Sequence, residues 1–298
     1  MTTTYVSEIL APLLTRVQRL APNYGKTPLA IPGLFVSRRA PCAQLCGGHE
    51  RPTVFLQLCG RRILHSPLGD IVVGAADLLG ILCEQKMLLR IEALHAEPDM
   101  VTLGLALDDV LLGNVLETLP VSVSAAKLRS TRAVRLLESN TRVVEVFAQL
   151  LALAEASEAQ RAALAPLYLR ILYTELLFSS WGPELVARLT SSHPVSRLAR
   201  AIGHLTQQLP AALSVEELAA EADMSPEVFS RGMKQLLGET ALQYSKRVRL
   251  LAAREMLLAG ELTHERIAQA LGYSSTSQFY RDYRSQFGIS PKRTDACT

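Results

Sequence analysis

The sequence has few aromatic residues and no apolar segment long enough to cross a membrane. Aromatic residues make up 5% of the 298 positions, with a single Trp. The apolar run over residues 71–83 contains Asp77 and is too short to span a bilayer. The first residues contain no basic cluster and carry Glu8, which argues against a secretory signal. We therefore expect a soluble cytoplasmic protein that does not contact a membrane.

Cysteine is also scarce, and its count is odd. Five Cys in a chain without an export signal indicate reduced thiols rather than a disulfide framework. Cys42 and Cys46 precede His49 closely, which is compatible with a zinc or redox site, although two ordinary loop or core cysteines are the simpler interpretation. His49, His65 and His95 lack the alternate spacing that places two imidazoles on one face of a strand. We expect no metal and no cofactor.

No pattern typical of an active site is present either. The glycines of "GGHERP" lack the strand–loop–helix context of a phosphate site, and no Ser lies in a nucleophile elbow. Glu92 and Glu97 offer no carboxylate dyad. We expect no catalytic residues and therefore no enzyme.

The chain divides into a β-rich part and a helical part. Residues 28–107 contain seven short segments rich in apolar or β-branched residues and separated by Gly and Pro, which is typical of a small sandwich or barrel. From "DDVLLGNVLETL" to the C-terminus, apolar residues recur at helical spacing. The turn-prone run at 191–197 predicts a hinge. We expect an α+β chain with domains at 1–192 and 193–298.

A repeat occupies the last quarter of the sequence. "DMSPEVFSRGMKQLLG" (223–238) and "SSTSQFYRDYRSQFG" (274–288) match at an offset of 50, and the helices before them match at 49, so the second turn holds one extra residue. Ser214 with Glu217 forms a capping box, and Gly238 and Gly288 end the second helix of each copy. The pattern predicts helix-turn-helix units at 214–238 and 264–288.

The outward face of each second helix is polar and partly basic. In the first copy it carries Glu227, Ser230, Arg231 and Lys234. In the second copy it carries Thr276, Ser277, Tyr280, Arg281 and Arg284. Residues 228–254 hold six basic residues and one acid, whereas 211–227 hold five acids and no base. Such a face suits the major groove of double-stranded DNA and its phosphates, and the repetition argues against mere solvation of a small helical domain.

Residues 241–258 between the copies predict a linker helix about 27 Å long. Two recognition helices that read one face of B-DNA lie about 34 Å apart. A helix of this length, together with the lateral offset of two small bundles, lets one chain enter two successive major grooves.

With these features, residues 197–291 resemble the DNA-binding domain of the AraC/XylS family of bacterial transcription regulators. The resemblance is carried by "LSVEELAAEADMSPEVFSRGMKQLLG", "QYSKRVRLLAAREMLL" and, most specifically, "IAQALGYSSTSQFYRDYRSQFGISP". It implies base-reading roles for Glu227, Ser230, Arg231, Thr276, Ser277, Tyr280 and Arg281. It implies phosphate contacts for Ser225, Lys234, Ser275 and Arg284.

Gly232 departs from the family pattern, which has a large apolar residue there, and should loosen its helix by about 1 kcal/mol relative to Ala. Because the chain also lacks the aromatic-Arg pair that usually follows the last Pro, we expect the first unit to bind more weakly than the second.

Residues 25–180 resemble the effector domain of one subgroup of that family, a resemblance that implies a cupin-like β-barrel followed by helices. A barrel without catalytic groups still suits an unknown small-molecule effector. Its candidate polar ligands are Arg38, His49, Arg51, Gln57, His65 and Arg90. A homodimer and RNA polymerase are further expected partners.

Two other interpretations stay open at this point. In one, the barrel performs small-molecule chemistry as an enzyme and the helical half docks to a partner. In the other, the protein binds DNA without effector control, as nucleoid proteins do. Whether residues 1–192 bind a small molecule separates the latter from a regulator.

Overall fold

The computed structural model describes residues 2–40, 44–66, 68–82, 85–93, 99–119, 134–137, 140–189, 194–207, 214–260 and 262–295. The chain forms two compact units. Unit 1 comprises residues 1–44, 51–83 and 90–196, and unit 2 comprises 45–50, 84–89 and 197–298. Residues 191–193 of the expected hinge lie outside the described ranges, and residues 194–197 begin a helix (Pro194–Gln207), so the boundary between 192 and 193 stays a prediction.

The described strands form two antiparallel sheets. The strands are β1 (Gly25–Pro28), β2 (Leu34–Arg39), β3 (Gln44–Glu50), β4 (Thr53–Cys59), β5 (Arg62–Ser66), β6 (Gly69–Val73), β7 (Leu78–Ile81), β8 (Gln85–Ala93), β9 (Met100–Ala106) and β10 (Val134–Leu137). One sheet has the order β1-β2-β9-β4-β7-β10 and the other β3-β8-β5-β6. The expected α+β class is confirmed, and the two sheets are compatible with a cupin-like arrangement, although within the described ranges they do not close into a barrel.

The six-stranded sheet is the centre of unit 1. Its middle strands β9 and β4 are buried along nearly their whole length, which explains why they read as continuous apolar runs rather than as alternating ones. Gly104 on β9 allows a close approach, because a Cβ there would lie 2.3 Å from the ring of Phe35 on β2. The ring of Phe35 therefore packs directly against the backbone of β9 at this position.

Within the described residues of unit 1, five helices accompany the sheets. They are α1 (Thr2–Leu20), α2 (Asp109–Thr118), α3 (Thr141–Ala154), α4 (Glu158–Phe178) and α5 (Gly182–Leu189). Side chains begin three of them: Asp108 caps α2, Asn140 caps α3, and Ser157 with Gln160 forms a capping box on α4. Helices α1, α3, α4 and α5 contribute to one hydrophobic core with strand residues, in which Trp181 is fully buried.

Helix α4 has a second apolar face that this core does not cover. Its exposed large residues are Leu164, Leu167, Ile171 and Phe178. Their spacing of three, four and seven residues places them along one side of a helix. We call this set the α4 stripe.

Sequence patterns missed four elements and misassigned one of them. Helix α1 and strands β1 and β3 were not predicted. Val134 and Leu137 were expected on a helix, but they belong to β10, which pairs with β7 through Val134–Ile81 and Leu137–Leu78. The short apolar run over 134–137 fits either structure locally, and the pairing with a distant strand decides it.

Unit 2 contains seven helices in its described part. They are α6 (Pro194–Gln207), which begins in unit 1, α7 (Val215–Glu221), α8 (Pro226–Leu237), α9 (Ala241–Ala259), α10 (His264–Ala270), α11 (Thr276–Phe287) and α12 (Pro291–Asp295). No single helix in the described ranges is long and apolar enough to cross a membrane, and α4 with α5 pass that test only as a pair bent by 109°.

Candidate nucleic-acid interface

The first helix pair, α7 and α8, is fixed at its ends by its own side chains. Ser214 Oγ accepts the amide of Glu217 at 3.1 Å, and the Ser214 amide donates to the Glu217 carboxylate at 2.8 Å, which confirms the expected capping box. Ser225 accepts the amide of Val228 at 3.3 Å, ahead of helix α8. The helix ends at Gly238 with φ of 78°, a left-handed conformation that favours glycine.

The second pair, α10 and α11, repeats this design with a longer turn. Ser275 accepts the amide of Gln278 at 3.2 Å, and Gly288 ends α11 with φ of 74°. Residues 271–275 separate α10 from α11, whereas 222–225 separate α7 from α8. The extra residue expected in the second turn is therefore present.

Each second helix buries an apolar side and exposes the polar side that the sequence indicates. Phe229 and Met233 on α8, like Phe279 and Tyr283 on α11, are fully buried. The exposed members of the expected DNA-contacting set are Ser225, Glu227, Arg231, Lys234, Ser275, Ser277, Arg281 and Arg284. The partly buried members are Ser230, Thr276 and Tyr280. Both helices thus present cations to solvent, although contact with DNA stays a prediction for all of these residues.

Two of these polar side chains already cap the N-termini of their helices. The hydroxyl oxygens of Ser225 and Ser275 accept amides of their own helices. The Ser225 hydroxyl also holds the pKa of the Glu227 carboxyl below its usual range, with smaller help from the helix amide and from Arg231. Glu227 is consequently charged at neutral pH.

Tyr280 has a partner that the sequence did not suggest. Its hydroxyl lies 2.6 Å from Nδ1 of His264 on α10, and the two rings meet edge to face with centroids 5.6 Å apart. Tyr280 also meets the buried ring of Phe279 edge to face. No periodic pattern connects position 264 with position 280, so only the fold identifies His264 as a neighbour of the polar face.

The cations of α9 form ion pairs and ring contacts within the unit. Lys246 pairs with Asp282 at 2.7 Å, and Arg247 pairs with Glu239 at 2.5 Å. Arg249 stacks on the ring of Tyr273 and Arg254 on the ring of Phe287, each at 5.5 Å from the ring centroid. Of the six basic residues over 228–254, Arg231 and Lys234 are the two on a recognition helix.

Gly232 in α8 has a packing reason. A Cβ at this position would lie 3.0 Å from a terminal methyl of Leu198 on α6, and Leu198 is buried. The missing side chain lets α6 approach α8 closely. The expected weakness of the first unit in DNA binding stays a prediction.

Of the candidate effector ligands, His65 on β5 lies opposite Arg90 on β8 in the backbone register, and the described side chains of the others either have partners elsewhere or are exposed. Gln57 is buried, and its amide donates to the carbonyl of Cys59 at 2.5 Å while its Oε1 accepts from Thr102. Arg38 donates to the carbonyls of Ala21 and Pro22 at the end of α1. Arg51 is exposed. The side chains of His49, His65 and Arg90 lie outside what the structure describes, so the binding role of this set stays a prediction.

Internal hydrogen bonding explains Gln57 and Arg38 without a ligand. Gln57 stabilises the irregularity in β4, where the register with β9 shifts between Gln57 and Cys59. Arg38 also reaches Asp99 at 3.3 Å, to which the Tyr24 hydroxyl donates. Cys42 and the side chain of Cys46 lie outside the described residues, and Cys59 is a free thiol. Within the described ranges no group of three His, Cys, Asp or Glu residues could hold a metal ion.

Comparison with known families accounts for both halves of the chain. Residues 30–184, more than half of the chain, match the family described as the AraC-type transcriptional regulator N-terminus. Residues 218–296 match a helix-turn-helix domain.

Curated relatives include transcription regulators that are similar over part of the chain. The regulator ArgR of Pseudomonas aeruginosa is 32% identical over 105 residues, which are 35% of this chain and 31% of ArgR. The transcriptional activator RhaS of Escherichia coli is 28% identical over 153 residues, 51% of this chain and 54% of RhaS. The chain thus matches about a third to a half of the length of these relatives. Both are named as regulators rather than as enzymes.

Solved structures show the same fold over most of the chain. The crystal structure of unsaturated fatty acid-bound ToxT from Vibrio cholerae matches with a TM-score of 0.55 at 11% identity and covers 88% of this chain and 94% of ToxT. A second ToxT structure at 1.65 Å resolution gives a TM-score of 0.56 and covers 87% of this chain and 96% of that one. With a regulator N-terminus over residues 30–184 and two capped helix pairs behind it, the chain belongs to the AraC/XylS family of transcription regulators.

Proposed function

We propose that the protein is a sequence-specific DNA-binding transcription regulator in which α8 and α11 enter successive major grooves. The observation that carries this proposal is the repetition of one exposed polar face. Arg231 and Lys234 on α8 occupy the same positions in the repeat as Arg281 and Arg284 on α11. Cations on a helix flanked by capping Ser residues suit both base edges and phosphates. Base reading is assigned to Glu227, Ser230, Arg231, Thr276, Ser277, Tyr280 and Arg281, and phosphate contact to Ser225, Lys234, Ser275 and Arg284.

A selection experiment tests this function directly. Full-length protein is used to select duplexes from a random library, and the enriched sequences are aligned. We expect a motif with two elements centred about 10 base pairs apart, one helical turn. Failure to enrich any motif would contradict sequence-specific binding.

Arg281 provides the matching variant. Because an Arg that donates two hydrogen bonds to guanine contributes about 1–3 kcal/mol of discrimination, Arg281→Ala should lose that preference at one position of the motif. Arg142→Ala, which removes an exposed Arg of unit 1, is the control and should bind as the wild type does. Equal weakening on random DNA would assign Arg281 to a phosphate instead.

A small-molecule effector is proposed for the domain formed by residues 1–192. The ToxT structures support this proposal, because one contains a bound unsaturated fatty acid and another a bound naphthalenyl-butenoic acid. Arg51 is the exposed member of the described candidates, and His49, His65 and Arg90 complete the proposed set. Thermal stability of the full chain measured with and without oleate tests a carboxylate ligand, since a ligand of the folded state raises the melting temperature. A shift that survives Arg51→Ala would remove Arg51 from the site.

The α4 stripe supports a proposed homodimer. Two copies of an apolar row spaced at three and four residues can pack along one seam, as in a coiled coil. Leu167→Asp together with Ile171→Asp should convert a dimer to a monomer in light scattering at micromolar concentration. Leu242→Asp, which changes an exposed Leu on α9, is the matched control. A cytoplasmic location and contact with RNA polymerase are proposed on the basis of family membership.

A further inference from the structure

Two adjacent residues of the linker helix α9 hold ion pairs with two different parts of the helix-turn-helix domain. Lys246 Nζ lies 2.7 Å from Oδ1 of Asp282 on α11. Arg247 Nε and Nη2 lie 3.0 and 2.5 Å from Oε1 of Glu239, which follows α8. We call these four residues the linker brace.

The Glu239–Arg247 pair lies at the joint between α8 and α9. Only Gly238, Glu239 and Thr240 connect the two helices, and Thr240 caps α9. The side chains of Arg247 and Glu239 are only 12% and 10% exposed, so this pair is far less screened by solvent than an ordinary surface pair. Arg247 also stacks on the buried ring of Tyr244, which fixes its direction. Arg247 of α9 therefore restrains the connection between α8 and α9 through its ion pair with Glu239.

The Asp282–Lys246 pair lies at the other recognition helix. Asp282 is the neighbour of Arg281 and its side chain is 19% exposed. Helix α9 already shares a core with α10 and α11 through Leu251, Leu257 and Phe279. The orientation of α11 on α9 is therefore fixed by packing and by the ion pair together.

The joint after α8 is only three residues long, lies between the buried Leu237 and Ala241, and is the point at which the two recognition helices could change their relative angle. Helix α8 has twelve residues and is about 18 Å long at 1.5 Å per residue. A rotation of 10° at the joint would move its far end by about 3 Å, which is close to the rise of one base pair, about 3.4 Å. A small angular restraint at Glu239 is thus enough to decide which spacing of two DNA elements the protein accepts.

We infer that the linker brace sets the angle between α8 and α11, so that Glu239, Lys246, Arg247 and Asp282 act as positioning residues for the spacing of the two DNA elements. The inference rests on the proposed function. It assigns no contact with DNA to the brace itself.

The test uses full-length protein and a duplex selected by the wild-type chain, together with derivatives carrying one base pair inserted or deleted between its two elements. The variant is Glu239→Gln with Lys246→Met, which keeps the shapes of both side chains and removes one charge from each pair. Lys292→Met, an exposed cation on α12, is the control. Charge-swapped Lys246→Asp with Asp282→Lys restores a pair of opposite charges on α9 and α11.

Wild type and control should bind the altered spacings about tenfold more weakly, comparable to one mismatched position. The brace variant should discriminate less than about threefold, and the charge-swapped protein should retain the wild-type preference. A brace variant that keeps the wild-type spacing preference would overturn the inference and leave the proposed function intact. If the wild-type chain selects no duplex at all, that result contradicts both the proposed function and this inference. If the double variant does not fold, Glu239→Gln alone decides, because its pair with Arg247 lies at the joint after α8.

Discussion

The hydroxyl of Tyr280 lies 2.6 Å from Nδ1 of His264, so a proposed base-reading side chain of α11 is held by the first turn of α10. The edge-to-face contact of the two rings adds to this restraint. His264 thus restrains the position of the Tyr280 ring in the DNA-free protein. A side chain that is already restrained loses less conformational freedom on binding.

Coupling between these two residues is the first prediction. Tyr280→Phe and His264→Ala should each lower the affinity for a selected duplex. The double variant should bind with nearly the same affinity as the weaker-binding single variant. Residues in direct contact commonly show coupling energies of about 0.5–3 kcal/mol. Fluorescence titration of the four proteins completes the cycle. Strictly additive losses would mean that His264 does not act through Tyr280.

Salt dependence is the second prediction. If the cations that contact phosphate are Lys234 and Arg284, the slope of log K against log salt should be about −1.8, from about 0.9 per phosphate. Lys234→Ala should make the slope less steep by about 0.9. Arg254→Ala should leave it unchanged, because Arg254 stacks on Phe287 within the domain. A slope near zero would reject the electrostatic part of the interface, and a slope near −5.4 would mean that cations of α9 also contact phosphate.

The third prediction concerns the closeness of α6 and α8. Gly232→Leu should lower the free energy of unfolding by about 1–3 kcal/mol, because a large side chain has to displace Leu198. Gly232→Ala is the control: its gain in helix propensity of about 1 kcal/mol is opposed by the contact at 3.0 Å. Urea unfolding followed by circular dichroism measures both, since the single Trp lies in unit 1. A stabilised Leu variant would show that α6 is not packed as described.

The fourth prediction is a pH dependence in unit 1. Burial raises the pKa of Glu184 above its usual value of 4.5, against the opposing effect of Arg135 on β10, and one carboxylate oxygen of Glu184 has no hydrogen-bond partner. The folded state therefore binds this proton more tightly than the unfolded chain. The resulting stabilisation is complete below pH 4.5 and is lost as the pH rises through the folded-state pKa.

Glu184→Gln isolates this contribution. The stability of the wild type relative to the variant should fall as the pH rises from about 4 to 7. Trp181 is the natural probe, because it is fully buried in the same unit. A relative stability that stays constant or rises with pH would mean that the ion pair with Arg135 outweighs the desolvation of Glu184.

The helix-turn-helix domain was predictable from sequence because its signals are local. Ser225 and Ser275 cap, Gly238 and Gly288 terminate, and each signal acts within a few residues of its own helix. The extra residue of the second turn was visible in the change of offset. The same range also contains residues whose partners no local signal indicates, such as Arg247, which pairs with Glu239.

The β-rich half was less predictable because its order depends on distant partners. The sequence "VRLL" at 134–137 is locally compatible with a helix. It forms a strand because it pairs with β7, which is distant in sequence. Helix α1 was missed although Leu13 and Val17 belong to the core of unit 1. The effector candidates were chosen for polarity alone, and Gln57 shows why polarity is insufficient: its amide satisfies a local irregularity of its own strand.

The pairing of Leu34 with Leu105 has a consequence for how the protein acquires its structure. Strands β2 and β9 meet only after a long loop has closed, and β10 completes the sheet from further along the chain. The helix pairs around α9 join segments that are near neighbours in sequence. Chains with local contacts fold faster than those with distant pairings. After dilution from denaturant, the C-terminal helices should therefore reach their native state first. A newly diluted chain should pass through a period in which the helix pairs around α9 are native while the sheets of unit 1 are still unformed.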